Sequence, residues 1–98
     1  MHQYIINASL QIIPLATEKH PYEWVDEAIA IIQNSGVKYE VGPFATNLEG
    51  KYDAVMELIH QVNYYLQEKG CEEWITNIQL QARSNSDITG EEKTSKFK

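Results

Sequence analysis

The chain has 98 residues, of which 43% are apolar and 22% are charged. This length suffices for one domain with its own core and does not comfortably hold two. The formal net charge of -6 argues against a nucleic acid or an anionic membrane surface as the partner, and it is compatible with a small cationic ligand. The lone Cys71 cannot form an internal disulfide, so we expect a reducing compartment, by default the cytoplasm.

The first predicted element is a strand. Residues 4–13 alternate between apolar and polar side chains, and Pro14 is expected to end the run. One side of this strand is apolar and faces the core, with Ala8, Leu10 and Ile12. The other side is polar, with Asn7, Ser9 and Gln11.

A helix follows from Pro21, a residue type that suits the first helical turn because its missing N–H would have no partner there. Its apolar residues recur at offsets of three and four, which predicts one buried stripe made of Val25, Ala28, Ile29 and Ile32. Trp24 lies off that stripe and is a candidate for a contact outside the core. Gly36 provides the left-handed residue that ends many helices.

A hairpin and a second helix come next. Alternation predicts a second strand over residues 37–41, and Gly42-Pro43 separates it from a third strand over residues 44–49. After Gly50 a long helix is predicted from Tyr52 to Lys69. Counted from Val55, its apolar residues recur at offsets of four, seven and eleven, which are Ile59, Val62 and Leu66.

A fourth strand is predicted from Trp74 to Arg83, where Ile78, Leu80 and Ala82 are expected to face the helices. Beyond Ser84 the chain is polar and has no dependable period. We therefore expect one domain over residues 1–83 and a mobile polar tail over residues 84–98, with at most a short helical turn.

The element order is strand, helix, strand, strand, helix, strand. Right-handed crossovers place both helices on one face of one sheet, which predicts an α+β, ferredoxin-like βαββαβ sandwich with a four-stranded antiparallel sheet. The first and third strands are expected in the centre, and the fourth strand beside the first.

The uncovered face of this sheet is predicted to be polar and mostly uncharged. A solvated face is one interpretation, because antiparallel sheets commonly expose one side. Amides and hydroxyls also suit groups that form hydrogen bonds after leaving water, which indicates an oligomer contact, a ligand pocket, or both. The residues concerned on the first and fourth strands are Asn7, Ser9, Gln11, Asn77, Gln79, Gln81 and Arg83.

Two charged residues have alternative roles. Glu49 precedes the second helix, where it can stabilise the helix N-terminus or pair with a cationic ligand or an exocyclic amine. Arg83 is the only arginine; it can pair across an interface, bind an anion, or remain solvated. Thr46 can be present because threonine favours strands, or it can donate a hydrogen bond to a ligand.

No metal or catalytic motif is found. The three histidines are too dispersed for metal-ligand spacing, and there is neither a phosphate loop nor a Cys-His constellation. No cofactor is expected. The chain would be an enzyme only of the small, cofactor-independent type, with Asn7, His2 or Trp24 acting on an organic substrate.

Several of these segments resemble the YkoF-like thiamine-binding proteins, a family long known as a domain of unknown function. The resemblance covers nearly the whole chain. It rests on residues 10–15, on residues 37–50 with Gly-Pro-Phe-Ala-Thr and Glu-Gly, on residues 53–57, and on residues 77–83. Ala45 stands where the family typically has Gly.

This resemblance implies a ferredoxin-like fold, homodimers or homotetramers, and non-enzymatic binding of thiamine or its hydroxymethylpyrimidine part. Carried over to this sequence, Thr46 and Glu49 are the matching ligand contacts, and Ser9 and Gln11 match less specifically. Asn77 could also meet a ring nitrogen, and Phe44 or Tyr39 could stack on a ring. A metabolite-sensing regulatory module and the small enzyme are the alternative functions.

Overall fold

The computed structural model describes residues 4–97 as one four-stranded sheet with two helices on one face. The strands are antiparallel and follow the order β2-β3-β1-β4. This confirms the predicted ferredoxin-like α+β architecture, with β1 and β3 in the centre. The main elements are β1 (Ile5–Ala16), α1 (Pro21–Gln33), β2 (Lys38–Val41), β3 (Thr46–Lys51), α2 (Tyr52–Glu68) and β4 (Glu73–Gln81).

The core lies between the helices and the two central strands. Ile6, Ala8 and Leu10 of β1 are buried together with Leu48 of β3. Each large apolar side chain removed from water there contributes roughly 1.5 to 3 kcal/mol. The stripe predicted for α2 is confirmed, because its four members are all buried: Val55, Ile59, Val62 and Leu66.

Helix α1 is rotated relative to the sequence prediction. Trp24 is only 3% exposed and belongs to the core, so the prediction that it makes a contact elsewhere is wrong. It joins Ala28 and Ile32 at offsets of four residues, and its Nε1 donates to Thr17 Oγ1. The predicted stripe residues Val25 and Ile29 are only half-buried.

Strand β1 does not end at Pro14 but continues to Ala16, with a register irregularity between these two residues. β1 pairs with β3 only as far as Leu10, and from there it pairs with β4 alone. A proline is tolerated because one edge of the strand needs no ladder hydrogen bond.

The apolar side of β4 is incompletely covered. Ile78 and Leu80 lie opposite Leu10 and Ala8, on the helix side of the sheet, yet they are 45% and 37% exposed. The helices pack mainly on β1 and β3. Ile78 and Leu80 therefore lie on the helix side of the sheet as predicted, but the helices leave them partly exposed.

The segment predicted as a mobile tail packs against the sheet. Ile88 is fully buried, its N–H donates to the Ile5 carbonyl oxygen at 3.0 Å, and Ile5 N–H donates to Asp87 Oδ1 at 2.6 Å. A short helix α3 (Gly90–Thr94) and a 3-10 turn (Ser95–Phe97) follow. We call residues 87–94 the C-terminal strap. No helix within residues 4–97 is long and apolar enough to cross a membrane.

Candidate functional site

The structure contains the polar open face that the alternation predicts. In the sheet register, Asn7 stands between Glu49 and Gln81, and Ser9 stands between Asn47 and Gln79. These side chains form two parallel rows across three strands, on the side away from the helices. The open face is therefore an ordered grid of amides and hydroxyls with one carboxylate.

Glu49 has its bonding capacity occupied within the protein. Its Oε1 accepts from Gly90 N–H at 2.6 Å and from Asn7 Nδ2 at 3.0 Å, and its Oε2 lies 3.2 Å from Lys38 Nζ. Partial burial works against the charged form, but these three donors outweigh it and hold the pKa of Glu49 below its ordinary value. Glu49 therefore anchors the C-terminal strap, and a ligand would have to displace these partners.

Arg83 and Gln81 also bind the strap. Arg83 Nη1 donates to both carboxylate oxygens of Glu92, at 2.9 and 3.1 Å, and to the Asp87 carbonyl oxygen at 3.1 Å. Gln81 Oε1 accepts from Lys93 Nζ at 2.9 Å. The row of the open face nearest the strap is thus satisfied from within the chain.

The next part of the open face is less occupied. A cavity of about 370 Å³ lies beside the strap, above Ser9, Asn47 and Gln79. Within residues 4–97 none of these three side chains has a hydrogen bond. Farther along, Asn77 Nδ2 donates to Gln11 Oε1 at 3.1 Å, so these two residues pair with each other across the strands.

Thr46 lies on the other side of the sheet from Glu49. It stands opposite Leu10 in the register, and it is 6% exposed. No other polar or charged residue of the part described is as fully buried. The structure therefore does not bring together the two ligand contacts that the motif predicts, because residues at odd spacing in a strand point to opposite faces.

Thr46 lines a groove of about 240 Å³ between α1 and the loop that joins β2 to β3. The groove is mainly apolar, with Val25 and Ile29 on the helix side and Val41 on the hairpin side. β1 contributes residues 10–12 to the lining; beyond Leu10 it no longer pairs with β3, so polar backbone groups on this edge are available to a ligand. Among residues 4–97, no carboxylate, ammonium or guanidinium group belongs to the lining.

Sequence reasoning did not identify this groove, although a signal was present. The apolar stripe predicted for α1 includes residues that the core does not bury. Val25 and Ile29 are only half-buried, and they line the groove. Tyr22 lies about one helical turn before Val25 and lines the groove from the same side of the helix. An unusually wide apolar stripe can thus indicate a groove as well as a core.

The remaining candidate sites have simple outcomes. His2 lies outside the described residues. Within residues 4–97 no three His, Cys, Asp or Glu side chains are arranged to hold a metal ion. Burial raises the pKa of the Cys71 thiol, which opposes thiolate chemistry there.

Comparison with known proteins agrees with the fold and the motifs. The profile of the thiamine-binding protein family matches residues 8–98. A UPF0045 protein of Clostridium perfringens is 35% identical over 92 residues, which span 94% of this chain and 96% of that protein.

Two solved structures are also similar. A domain of unknown function, DUF77, from Bacillus cereus has 35% identity and a TM-score of 0.90, with 97% of this chain and 91% of that chain covered. A Thermotoga maritima protein whose name links it to thiamine biosynthesis or salvage has 29% identity and a TM-score of 0.85, with 96% and 99% covered. The extent of the profile match and the identity to the Clostridium relative show that this chain belongs to the thiamine-binding protein family.

Proposed function

We propose that this protein binds thiamine or its hydroxymethylpyrimidine part in the groove above Thr46, that it does not transform the ligand, and that it works as a homo-oligomer. Family membership supports the ligand class. The observation that carries the choice of site is Thr46, a residue only 6% exposed that lines the groove and whose hydroxyl has no hydrogen-bond partner within residues 4–97.

The Thr46 hydroxyl is not among the fully buried, unpartnered polar atoms of residues 4–97, so it keeps contact with solvent in the groove. A ligand that enters the groove removes this solvent, and it must bond to the hydroxyl to avoid the cost of a buried polar group without a partner. An aminopyrimidine offers both ring nitrogens that accept and an exocyclic amine that donates, and its faces are apolar. The Thr46 hydroxyl, the open edge of β1 and the apolar walls match those three properties.

The lining of the groove also supports binding without catalysis. General acid-base chemistry needs a titratable side chain within hydrogen-bond reach of the reacting group. The lining within residues 4–97 supplies the Thr46 hydroxyl, the Gln11 amide and backbone groups; its one titratable side chain is the exposed Tyr22 phenol, and it has no carboxylate or imidazole.

The proposal is tested by calorimetric titration of the ligand-free protein with thiamine and with hydroxymethylpyrimidine. Thr46→Val is expected to weaken binding about tenfold or more, because a polar ligand group then lacks its partner at a cost of ~1 to 3 kcal/mol. The same substitution should leave the melting temperature of the free protein unchanged or raise it. Thr46→Ser keeps the hydroxyl and should retain most of the affinity.

Ser9→Ala is the control for the open face. If it weakens binding while Thr46→Val does not, the ligand lies on the open face and the groove is the wrong site. Absence of saturable binding by the wild-type protein at millimolar ligand would reject the proposed function itself.

Self-association is supported by β4. This nine-residue edge strand exposes apolar side chains on both faces, Ile75 on the open side and Ile78 and Leu80 on the helix side. We expect light scattering at micromolar concentration to give at least twice the monomer mass. A mass near 11.3 kDa would refute a homo-oligomer.

A further inference from the structure

We propose that the cleft between the C-terminal half of α1 and helix α2 binds a primary ammonium group carried on a short apolar chain. The cleft has a volume of about 390 Å³, within the ~300 to 1,000 Å³ that ligand sites occupy. It shares no lining residue with the groove above Thr46, so this second site is independent of the proposed function.

The first observation is the orientation of two amide side chains that line the cleft. Asn34 Nδ2 donates to the Ala30 carbonyl oxygen at 2.9 Å, and Gln61 Nε2 donates to Glu57 Oε1 at 3.3 Å. Because a carbonyl and a carboxylate can only accept, these bonds fix which way each amide points. Asn34 Oδ1 and Gln61 Oε1 are left as acceptors, and within residues 4–97 neither oxygen receives a donor.

The second observation is a carboxylate in a lining that has no cation. Tyr65 Oη donates to Glu27 Oε1 at 2.9 Å, so the phenol oxygen is also left as an acceptor. Lys19 Nζ lies 2.5 Å from Glu27 Oε2 and 4.0 Å from the centre of the Trp24 ring, outside the cleft. Hydrogen bonds from Lys19 and Tyr65 hold the pKa of Glu27 below its ordinary value, which keeps the carboxylate charged at pH 7. Among the residues described, no Lys, Arg or His lines the cleft.

The third observation is the helix end that borders the cleft. The C-terminus of a helix carries a partial negative charge, and α1 has no basic residue in its last turn to offset it. Ser35, which follows the helix, uses its hydroxyl hydrogen on the Ile32 carbonyl oxygen at 2.6 Å. The cleft therefore presents acceptor oxygens, a carboxylate and a negative helix end, and an ammonium group supplies the N–H donors and the positive charge that match them.

The apolar part of the cleft indicates what carries the ammonium group. Ala30 and Ile31 lie in the lining, and Ile31 is half-buried where it packs against the core. A short hydrocarbon chain can cover this surface while the ammonium group meets the oxygens. An anion would be repelled by Glu27 and by the helix end, so the ligand class is a primary amine in its protonated form.

The test is titration of the full, ¹⁵N-labelled chain with butylamine at pH 7, where the amine is protonated, followed by the NMR shifts of backbone amides. We expect saturable shifts at millimolar concentration, centred on residues 30–35 and on Gln61 and Tyr65. Butanol and butyrate have chains of similar length without the positive charge, and they should bind at least fivefold more weakly.

Asn34→Lys should weaken butylamine binding at least fivefold, because it adds a competing ammonium group to the lining. Its fold should be retained, since a cation suits the C-terminus of a helix. Gln33→Lys is the matched control: it adds the same charge to the last turn of α1 but lies outside the cleft, and it should change the affinity no more than twofold. Glu27→Gln keeps an oxygen acceptor without the charge and should weaken binding about three- to tenfold.

Four results would overturn this inference. They are the absence of saturable shifts, shifts centred away from the cleft, butanol binding as tightly as butylamine, and wild-type affinity in Asn34→Lys. Equal weakening by Gln33→Lys and Asn34→Lys would also reject the cleft, because only the general charge of the helix end would then matter. Thr46→Val should leave the butylamine affinity unchanged, so failure of this site is distinguishable from failure of the groove.

Discussion

Glu49 is the residue for which the structure changes the expected role most. The motif predicts a ligand contact, whereas the structure places its carboxylate between the sheet and the C-terminal strap. We expect Glu49→Ala to detach the strap and to leave thiamine binding nearly unchanged. The Gly90 N–H that donates to Glu49 lies in the strap, 41 positions further along the chain. Hydrogen exchange of the strap amides therefore reports the loss of this contact.

The expected magnitude follows from the three contacts. Hydrogen bonds to a charged group contribute ~1.5 to 3 kcal/mol each, and the 2.6 Å bond from Gly90 N–H is the shortest of them. The Lys38 side chain is 72% exposed, so its ion pair contributes only about 0 to 1 kcal/mol. Because such contributions are not additive, Glu49→Ala should reduce the free energy of docking the strap by about 2 to 4 kcal/mol. Glu49→Gln retains one acceptor and should cost about half as much.

The measurement is hydrogen exchange, followed by mass spectrometry of a peptide that covers residues 84–97. Protection of Ile88 N–H and Gly90 N–H should fall in Glu49→Ala, while exchange in α2 stays slow, because segments can open locally without global unfolding. Glu40→Gln is the matched control, since Glu40 is an exposed carboxylate on the same hairpin. Unchanged protection of the strap combined with lost thiamine affinity would refute the reasoning and restore Glu49 as a ligand contact.

Two further predictions concern stability. Asn63 Oδ1 accepts from Trp74 Nε1 at 2.9 Å and from Thr76 Oγ1 at 2.5 Å. Because both donors lose their partner, Asn63→Leu should lower the free energy of unfolding by about 2 to 4 kcal/mol. Urea denaturation measures this change, and a loss under about 1 kcal/mol would contradict the prediction. The strap should also open in acid: the pKa of Glu49 is lower in the folded protein, so its contribution is complete above the pKa of the unfolded carboxyl and disappears as the pH falls through the folded value. The measurement is hydrogen exchange of the strap peptide as the pH is lowered through this range. Protection should fall in the wild type, whereas Glu49→Ala should show no further acid-induced loss of protection.

The candidate site shows where a strand motif is informative and where it is not. Thr46 and Glu49 lie three positions apart, and alternation alone places them on opposite faces once the strand is known to be regular. What alternation cannot indicate is whether a polar side chain is free. Glu49 is occupied because Gly90 reaches it, whereas no group within residues 4–97 bonds to the Thr46 hydroxyl, although the Gln11 amide lines the same groove.

The amino-acid sequence by itself determined the element order, the stripe of α2, the side of the sheet that is polar, and the family resemblance. These features depend on periodicity, turn residues and motifs, which are local properties of the chain. Only the tertiary structure decided the rotation that buries Trp24, the exposure of Ile78, the docking of the strap and the groove beside Thr46. Each of these depends on which surfaces meet, because distant residues such as Glu49 and Gly90 become neighbours only when the whole chain has packed.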